Sequence, residues 1–233
     1  MGFDEVDESL TEAQQRSFGL YGVVPLITVS PNLTYDARNN PRSPRSGWYG
    51  SLNFRWGTML VEDVTYLLTE PELRGYIPVG DRIVLAGRVF LGASLFETSG
   101  IPAPERYFAG GAQSQRGFAN RRLAPSVEDD DGDIVPLGGE AIYEASLESR
   151  IHIFDLLGLP FGIALFVDAA DVQRSVQDLR FAVPHYAAGT GLRLETPVGP
   201  VRFDVGWRLN RRDEIDPADG WFPAWHLTIG EAY

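Results

Sequence analysis

From Val201 to Leu209 every odd position is apolar (Val201, Phe203, Val205, Trp207, Leu209), while Arg202, Asp204, Gly206 and Arg208 fill the even positions. That period of two is the signature of a β-strand with two unlike faces. The same alternation carries Phe161, Ile163, Leu165 and Val167 along one run, and Trp225, Leu227 and Ile229 along another. Trp48, Leu52, Phe54 and Trp56 stand opposite Asn53 and Arg55, and Ala145, Leu147, Ile151 and Ile153 opposite Glu144, Glu148, Arg150 and His152. Helical periodicity is nearly absent. The pattern predicts nine strands, at 18–36, 47–57, 63–77, 82–96, 139–154, 161–171, 185–196, 201–209 and 224–233. Around Glu70 and Pro71 the apolar phase slips by one, so a bulge or kink is expected there. On the last strand, Tyr233 shares the apolar face with Trp225, Leu227 and Ile229, and Glu231 is the one polar residue on that face.

Many of these runs reach roughly 10 residues, longer than the usual globular strand and long enough to cross a bilayer at a tilt. Two architectures fit. In a soluble sandwich or lipocalin-like barrel the apolar face forms the core; in an outer-membrane barrel it meets lipid and the charged face lines the lumen. The connections favour the second. Thr196–Pro200, Asp155–Pro160 and Pro78–Asp81 are short and rich in Pro or Gly, whereas 210–223, 172–184 and 97–138 are long. Aromatic residues near strand ends (Trp48, Tyr49, Trp56, Trp207, Trp221, Trp225, Tyr233) suit interfacial girdles.

Charge and composition remove several functions. With 20 Lys+Arg against 32 Asp+Glu the net charge is −12, the wrong sign for a protein that neutralises phosphates, so no nucleic-acid partner is expected. Cysteine is absent, which removes disulfides, thiolate nucleophiles and Cys-ligated zinc. No nucleophile elbow, phosphate loop or dinucleotide fingerprint occurs. His152, His185 and His226 fall on different strands without ligand spacing. The acidic run Glu128–Asp133 lacks the full calcium-loop spacing and reads as a solvated loop. No catalytic residue, metal or cofactor is expected. The polar segment 1–17 reads as a disordered or truncated edge before the strands, and it is unlike a secretory signal peptide.

The loop 97–138 is about 40 residues long, a length that is unusual without a function. It carries Arg106-Tyr-Phe108-Ala-Gly110-Gly111 followed by Gln115-Arg116-Gly117-Phe118. With that loop the sequence resembles the BamA/TamA superfamily of outer-membrane insertases, the bacterial surface antigen proteins, over about residues 18–233. Four further stretches carry the likeness: Tyr35–Gly47, Phe166-Val167-Asp168-Ala169, Thr196–Asp204, and Trp225–Tyr233, which looks like a C-terminal β-signal ending in an aromatic. Gln115 and Ala170 depart from the family pattern, which has an aliphatic residue before the Arg and Gly after the Asp.

The resemblance implies an all-β, antiparallel transmembrane barrel in a bacterial outer membrane, with the nine strands forming the C-terminal half of a sixteen-stranded domain. It implies a loop folded into the lumen, where Arg116 meets Asp168 near Phe166, with Gly117 and Phe118 beside it and Gly110 and Gly111 shaping the loop. The β-signal residues would be Trp225, Leu227, Ile229, Gly230 and Tyr233. The implied function is non-enzymatic assembly of outer-membrane proteins, with outer-membrane lipid and client β-barrels as partners. A barrel that anchors another domain or forms a secretion pore is the alternative, as in patatin-type or two-partner secretion relatives. Nine strands cannot make an even-numbered barrel, so a fragment, a truncated gene product or a half completed by an upstream segment or a second chain is expected.

Overall fold

The computed structural model describes residues 25–60, 63–98, 100–128, 134–210 and 222–233. The expected polar segment 1–17, residues 18–24 of the first strand, Trp221 and the acid-rich 129–133 lie outside the described residues.

Twelve strands are described: β1 (Leu26–Val29), β2 (Asn32–Asp36), β3 (Gly47–Met59), β4 (Thr65–Val79), β5 (Ile83–Glu97), β6 (Ser126–Glu128), β7 (Ile134–Pro136), β8 (Ala141–Leu156), β9 (Leu159–Gln173), β10 (His185–Thr196), β11 (Gly199–Arg208) and β12 (Ala224–Ile229). One sheet runs β1-β3-β4-β5-β8-β9-β10-β11-β12, with β2 also on β3, and β6 and β7 form a separate hairpin within the long loop. Every pairing is antiparallel.

Period-two alternation decides which way each side chain points. On β9, Ala164, Phe166, Asp168 and Ala170 are buried on the concave side, and Leu165 and Val167 are exposed on the convex side. On β12, Trp225, Leu227 and Ile229 are each more than two-thirds exposed. The sheet thus wears an apolar outer face and encloses a mixed interior, the arrangement of a barrel whose outside meets lipid.

Among the described residues β12 pairs only with β11, and β1 and β2 only with β3. The sheet is therefore open at both edges. Eight antiparallel steps separate β1 from β12, so the two edge strands run in the same direction. Antiparallel closure between them is impossible, which is the structural form of the odd strand count.

Four expectations need correction. The strand expected at 18–36 is two short ones where it is described, because Pro31 has no N–H to give to the ladder; the chain breaks at Ser30–Pro31 and both pieces pair with β3. The irregularity expected at Glu70–Pro71 lies earlier, between Leu67 and Leu68 where β4 meets β5. Against β3 the register runs through Leu52↔Pro71 without a shift, and Tyr66, Leu68, Glu70, Glu72, Arg74 and Tyr76 all face the interior. The apparent slip comes from what the inner face touches: Tyr66 and Leu68 meet apolar loop residues, and Glu70 and Glu72 meet arginines. The last strand ends at Ile229, and Glu231, Ala232 and Tyr233 turn inward. Tyr49 likewise faces the interior, with the guanidiniums of Arg38 and Arg74 each 4.8 Å from its ring centre, so neither Tyr49 nor Tyr233 belongs to an outer girdle.

Candidate functional site

The loop between β5 and β8 enters the concave side. Its ends are fixed by backbone bridges, Tyr107 to Gly139 and Ala109 to Leu123. Ile101, Tyr107, Phe118 and Leu123 pack against the inner-face residues Tyr66, Leu68, Ile142 and Val172 in one buried cluster. The tip, 110–119, is folded tightly: Gly111 N donates to Phe118 O at 3.0 Å and Phe118 N to Gln115 O at 3.2 Å. Gly110 and Gly111 both adopt φ just above +100°, a region that side chains other than glycine's disfavour.

Arg116 sits at the centre, with 1% of its side chain exposed. Its Nε donates to Asp168 Oδ2 at 2.9 Å and one terminal nitrogen to Asp168 Oδ1 at 2.8 Å, a bidentate contact. Its backbone N–H donates to the same carboxylate at 3.0 Å. The other terminal nitrogen pairs with Glu148, and Ser146 Oγ accepts a further bond at 3.2 Å. The guanidinium plane lies over Phe166, 3.5 Å from the ring centre. Burial alone would lower the basicity of this arginine; the carboxylates of Asp168 and Glu148 outweigh it and hold the pKa above the usual value.

Gly117 and Phe118 are buried beside it. The Phe118 ring meets His185 edge-on at 5.6 Å, and the Arg208 guanidinium stacks 4.1 Å from its centre. Gln115, one departure from the family pattern, has a local role. Its amide nitrogen donates to His185 O at 3.0 Å, and its amide oxygen accepts from Gly117 N at 2.9 Å. Ala170, the other departure, is fully buried in the apolar cluster.

The tip also reaches the last two strands. A Cβ at Gly206 of β11 would stand 2.4 Å from Arg116 O, so only glycine lets the loop backbone approach there. His226 Nε2 of β12 lies 3.2 Å from the same oxygen. Arg202 donates to Ala112 O at 3.2 Å, to Gly230 O at 2.8 Å and to Asp204 at 2.9 Å. At Glu144 of β8, Arg88 pairs at 2.5 Å and Ser114 Oγ also bonds. A groove of about 580 Å³ runs between the loop and β12, lined by Gly110, Gly111, Asn120, Trp225 and Leu227 among others.

The expected residues therefore fall in two places. Arg116, Gly117, Phe118, Phe166 and Asp168 come together in the interior, with Gly110 and Gly111 at the turn above them. Trp225, Leu227 and Ile229 lie outside on β12, while Gly230 turns the chain and Tyr233 is inside. Glu148, Ser146, Arg202 and Gly206 were not singled out. Glu148 and Ser146 could have been found from alternation, since Ser146 is the cross-strand partner of Asp168 and Glu148 of Phe166. Among the described residues no group of three or more His, Asp or Glu side chains is placed to hold a metal.

The sequence profile of the Omp85 superfamily domain matches residues 5–232. The chain belongs to the Omp85 superfamily. It is 26% identical over 196 residues to the outer membrane protein assembly factor BamA of Nitratidesulfovibrio vulgaris strain Hildenborough, across 81% of this chain and 24% of that protein. To the BamA of Neisseria meningitidis serogroup B it is 25% identical over 160 residues, 57% of this chain and 20% of that one. The crystal structure of Haemophilus ducreyi BamA lacking POTRA domains 1–3 superposes with a TM-score of 0.62 at 24% identity, over 87% of this chain and 41% of that one. The Omp85 chain described here thus spans a quarter or less of the length of these curated relatives.

Proposed function

We propose that this chain is part of a bacterial outer-membrane barrel that assembles or inserts other β-barrel proteins, without enzymatic chemistry. The observation that carries the reading is the outer edge of β12, unpaired among the described residues, beside a loop tip bonded to the inner faces of β8, β9, β11 and β12. A free strand edge is a template for another strand, because its unpaired N–H and C=O groups need partners inside a bilayer. Similarity to two assembly factors named BamA supports the same reading. In it, the Arg116–Asp168–Glu148 contact fixes the loop, and the loop in turn holds β11 and β12 so that the edge keeps its shape. The partners are outer-membrane lipid, client β-barrels and the segment or second chain that occupies the other edge.

The test is reconstitution of the full-length protein in lipid vesicles, followed by addition of a urea-unfolded outer-membrane protein. Faster appearance of the client's compact, heat-modifiable band supports assembly. No acceleration, together with release of a passenger across the vesicle membrane, replaces it with the anchor or secretion-pore reading.

A further inference from the structure

Glu231 breaks the alternation of the last strand. Continued straight from Trp225, Leu227 and Ile229, residue 231 would point outward with them, which would place a carboxylate among lipid tails at a cost that depends on depth. The structure takes another course. Gly230 adopts φ +108°, held by its N–H to Pro200 O at 2.8 Å and by Arg202 Nε on its carbonyl at 2.8 Å. The next residue then enters the interior, where the Glu231 carboxylate pairs with Arg193 and lies 3.1 Å from Arg150. Its side chain is 8% exposed.

Those two arginines are the far side of the loop contact. Glu148 lies 2.8 Å from Arg150 and 3.1 Å from Arg193 and also pairs with Arg116. The ions form one connected set: Asp168, Arg116, Glu148, Arg150, Arg193 and Glu231. Three guanidiniums face these three carboxylates, with Glu195 at the margin, 3.9 Å from Arg193. Without Glu231 the buried Arg150 and Arg193 each lose one carboxylate and share Glu148 with Arg116. Beyond Glu231, Tyr233 is buried against Tyr76, Val84 and Ala86, and the Tyr76 hydroxyl donates to Tyr233 O at 2.8 Å.

We propose that Glu231 is a latch: its pairing with Arg150 and Arg193 holds residues 230–233 inside the lumen and so limits the free edge of β12 to the six residues Ala224–Ile229. The latch is continuous with the Arg116 contact through Glu148, so loop and strand end are held by the same charges. Release of the tail would let residues 230–233 continue the strand and lengthen the edge. The inference goes beyond the proposed assembly role, and its test needs no assembly activity.

The sequence has no cysteine, so Ala232→Cys, at a position 3% exposed, gives a single reporter within this chain. The full-length protein carrying it is treated in its own membranes with a membrane-impermeant maleimide, with heat-modifiability as the check on folding. In the otherwise native background labelling is slow. Adding Glu231→Gln raises the rate roughly a hundredfold, the factor expected for one buried ion pair. Equal rates with and without Glu231→Gln overturn the latch. Where Glu231→Gln alone abolishes the compact band, Arg193→Gln with Glu231→Gln removes one charge of each sign and restores the native charge difference. Rapid labelling of that folded double variant supports the proposal, and slow labelling, or failure of the balanced pair to fold, overturns it.

Discussion

Arg116→Lys separates charge from geometry at the loop tip. Lysine keeps one positive charge but loses the planar fork that reaches Asp168 twice, Ser146 once and Glu148 once. An ammonium at the end of a flexible stem can serve one of the two carboxylates, and the other loses its guanidinium contact in a desolvated site. It also loses the stacked position over Phe166. Breaking one buried pair costs about 3–5 kcal/mol; the retained charge returns part of that, so about 3 kcal/mol is expected. At 1.4 kcal/mol per decade this raises the population with the loop tip detached about a hundredfold. The readout is amide hydrogen exchange of Arg116, Gly117 and Phe118 in lipid, because their N–H groups bond to Asp168, Gln115 Oε1 and Gln115 O. Protection should fall about a hundredfold there while strand amides of β9 and β10 keep theirs. Protection in Arg116→Lys within about threefold of the native protein would refute the argument, since a point charge would then suffice.

Gly206→Ala should also detach the tip, because a Cβ 2.4 Å from Arg116 O meets backbone and cannot be relieved by a rotamer change; loss of exchange protection at Arg116 with β11 still paired is the expected result. Gln115→Leu leaves the buried Gly117 N–H without its acceptor, and a destabilisation of about 1–3 kcal/mol is expected in urea titration of the folded band. Glu140, just before β8, has its carboxyl pushed up to about 7, first by burial and then by the neighbouring Glu97 carboxylate. A raised folded pKa means that its contribution is fully present below the unfolded value of about 4.3 and is lost as pH rises through 7. Proteolysis of the loop should therefore quicken between pH 5 and 8 in the native protein and become flat with pH in Glu140→Gln.

The strand plan was legible because a period of two is local. Each residue's side depends only on its neighbours, so Phe166 and Asp168 could be placed on the same side from sequence. What was not legible depends on contacts across the interior. The phase slip at Glu70 and Pro71 read as a bulge because nothing local shows that loop residues Tyr107 and Phe118 would fill the space beside Tyr66 and Leu68 on the inner face. Glu148 looked like ordinary interior polarity, since a carboxylate shared by Arg116, Arg150 and Arg193 draws those arginines from a loop and two different strands. Gly206 carries no side chain, so its role as the gap that admits Arg116 O exists only in three dimensions. Glu231 is the instructive case. The sequence showed an acidic residue on a lipid face, a conflict that alternation could not resolve, and Gly230 beside it supplied the turn that resolves it.

These contacts divide the interior into two zones with different physics. Near the long-loop end the loop supplies the apolar core that an open sheet cannot make for itself: Ile101, Tyr107, Phe118 and Leu123 cover Tyr66, Leu68, Ile142 and Val172. Dispersion and burial act there without regard to charge. Toward the short-turn end the interior is mainly ionic beside a smaller apolar cluster of Tyr76, Val84, Ala86, Ala232 and Tyr233, and a carboxylate removed from it leaves buried guanidiniums sharing fewer acids. Arg116 stands between the two zones, stacked on Phe166 on one side and bonded to Asp168 and Glu148 on the other. The apolar zone alone would let the tip slide, since packing is weakly directional. The ionic zone alone would leave three arginines to a shifting set of acids. Joined at Arg116, they fix the loop in both depth and register, and through Arg150, Arg193 and Glu231 they extend that order to the end of the last strand.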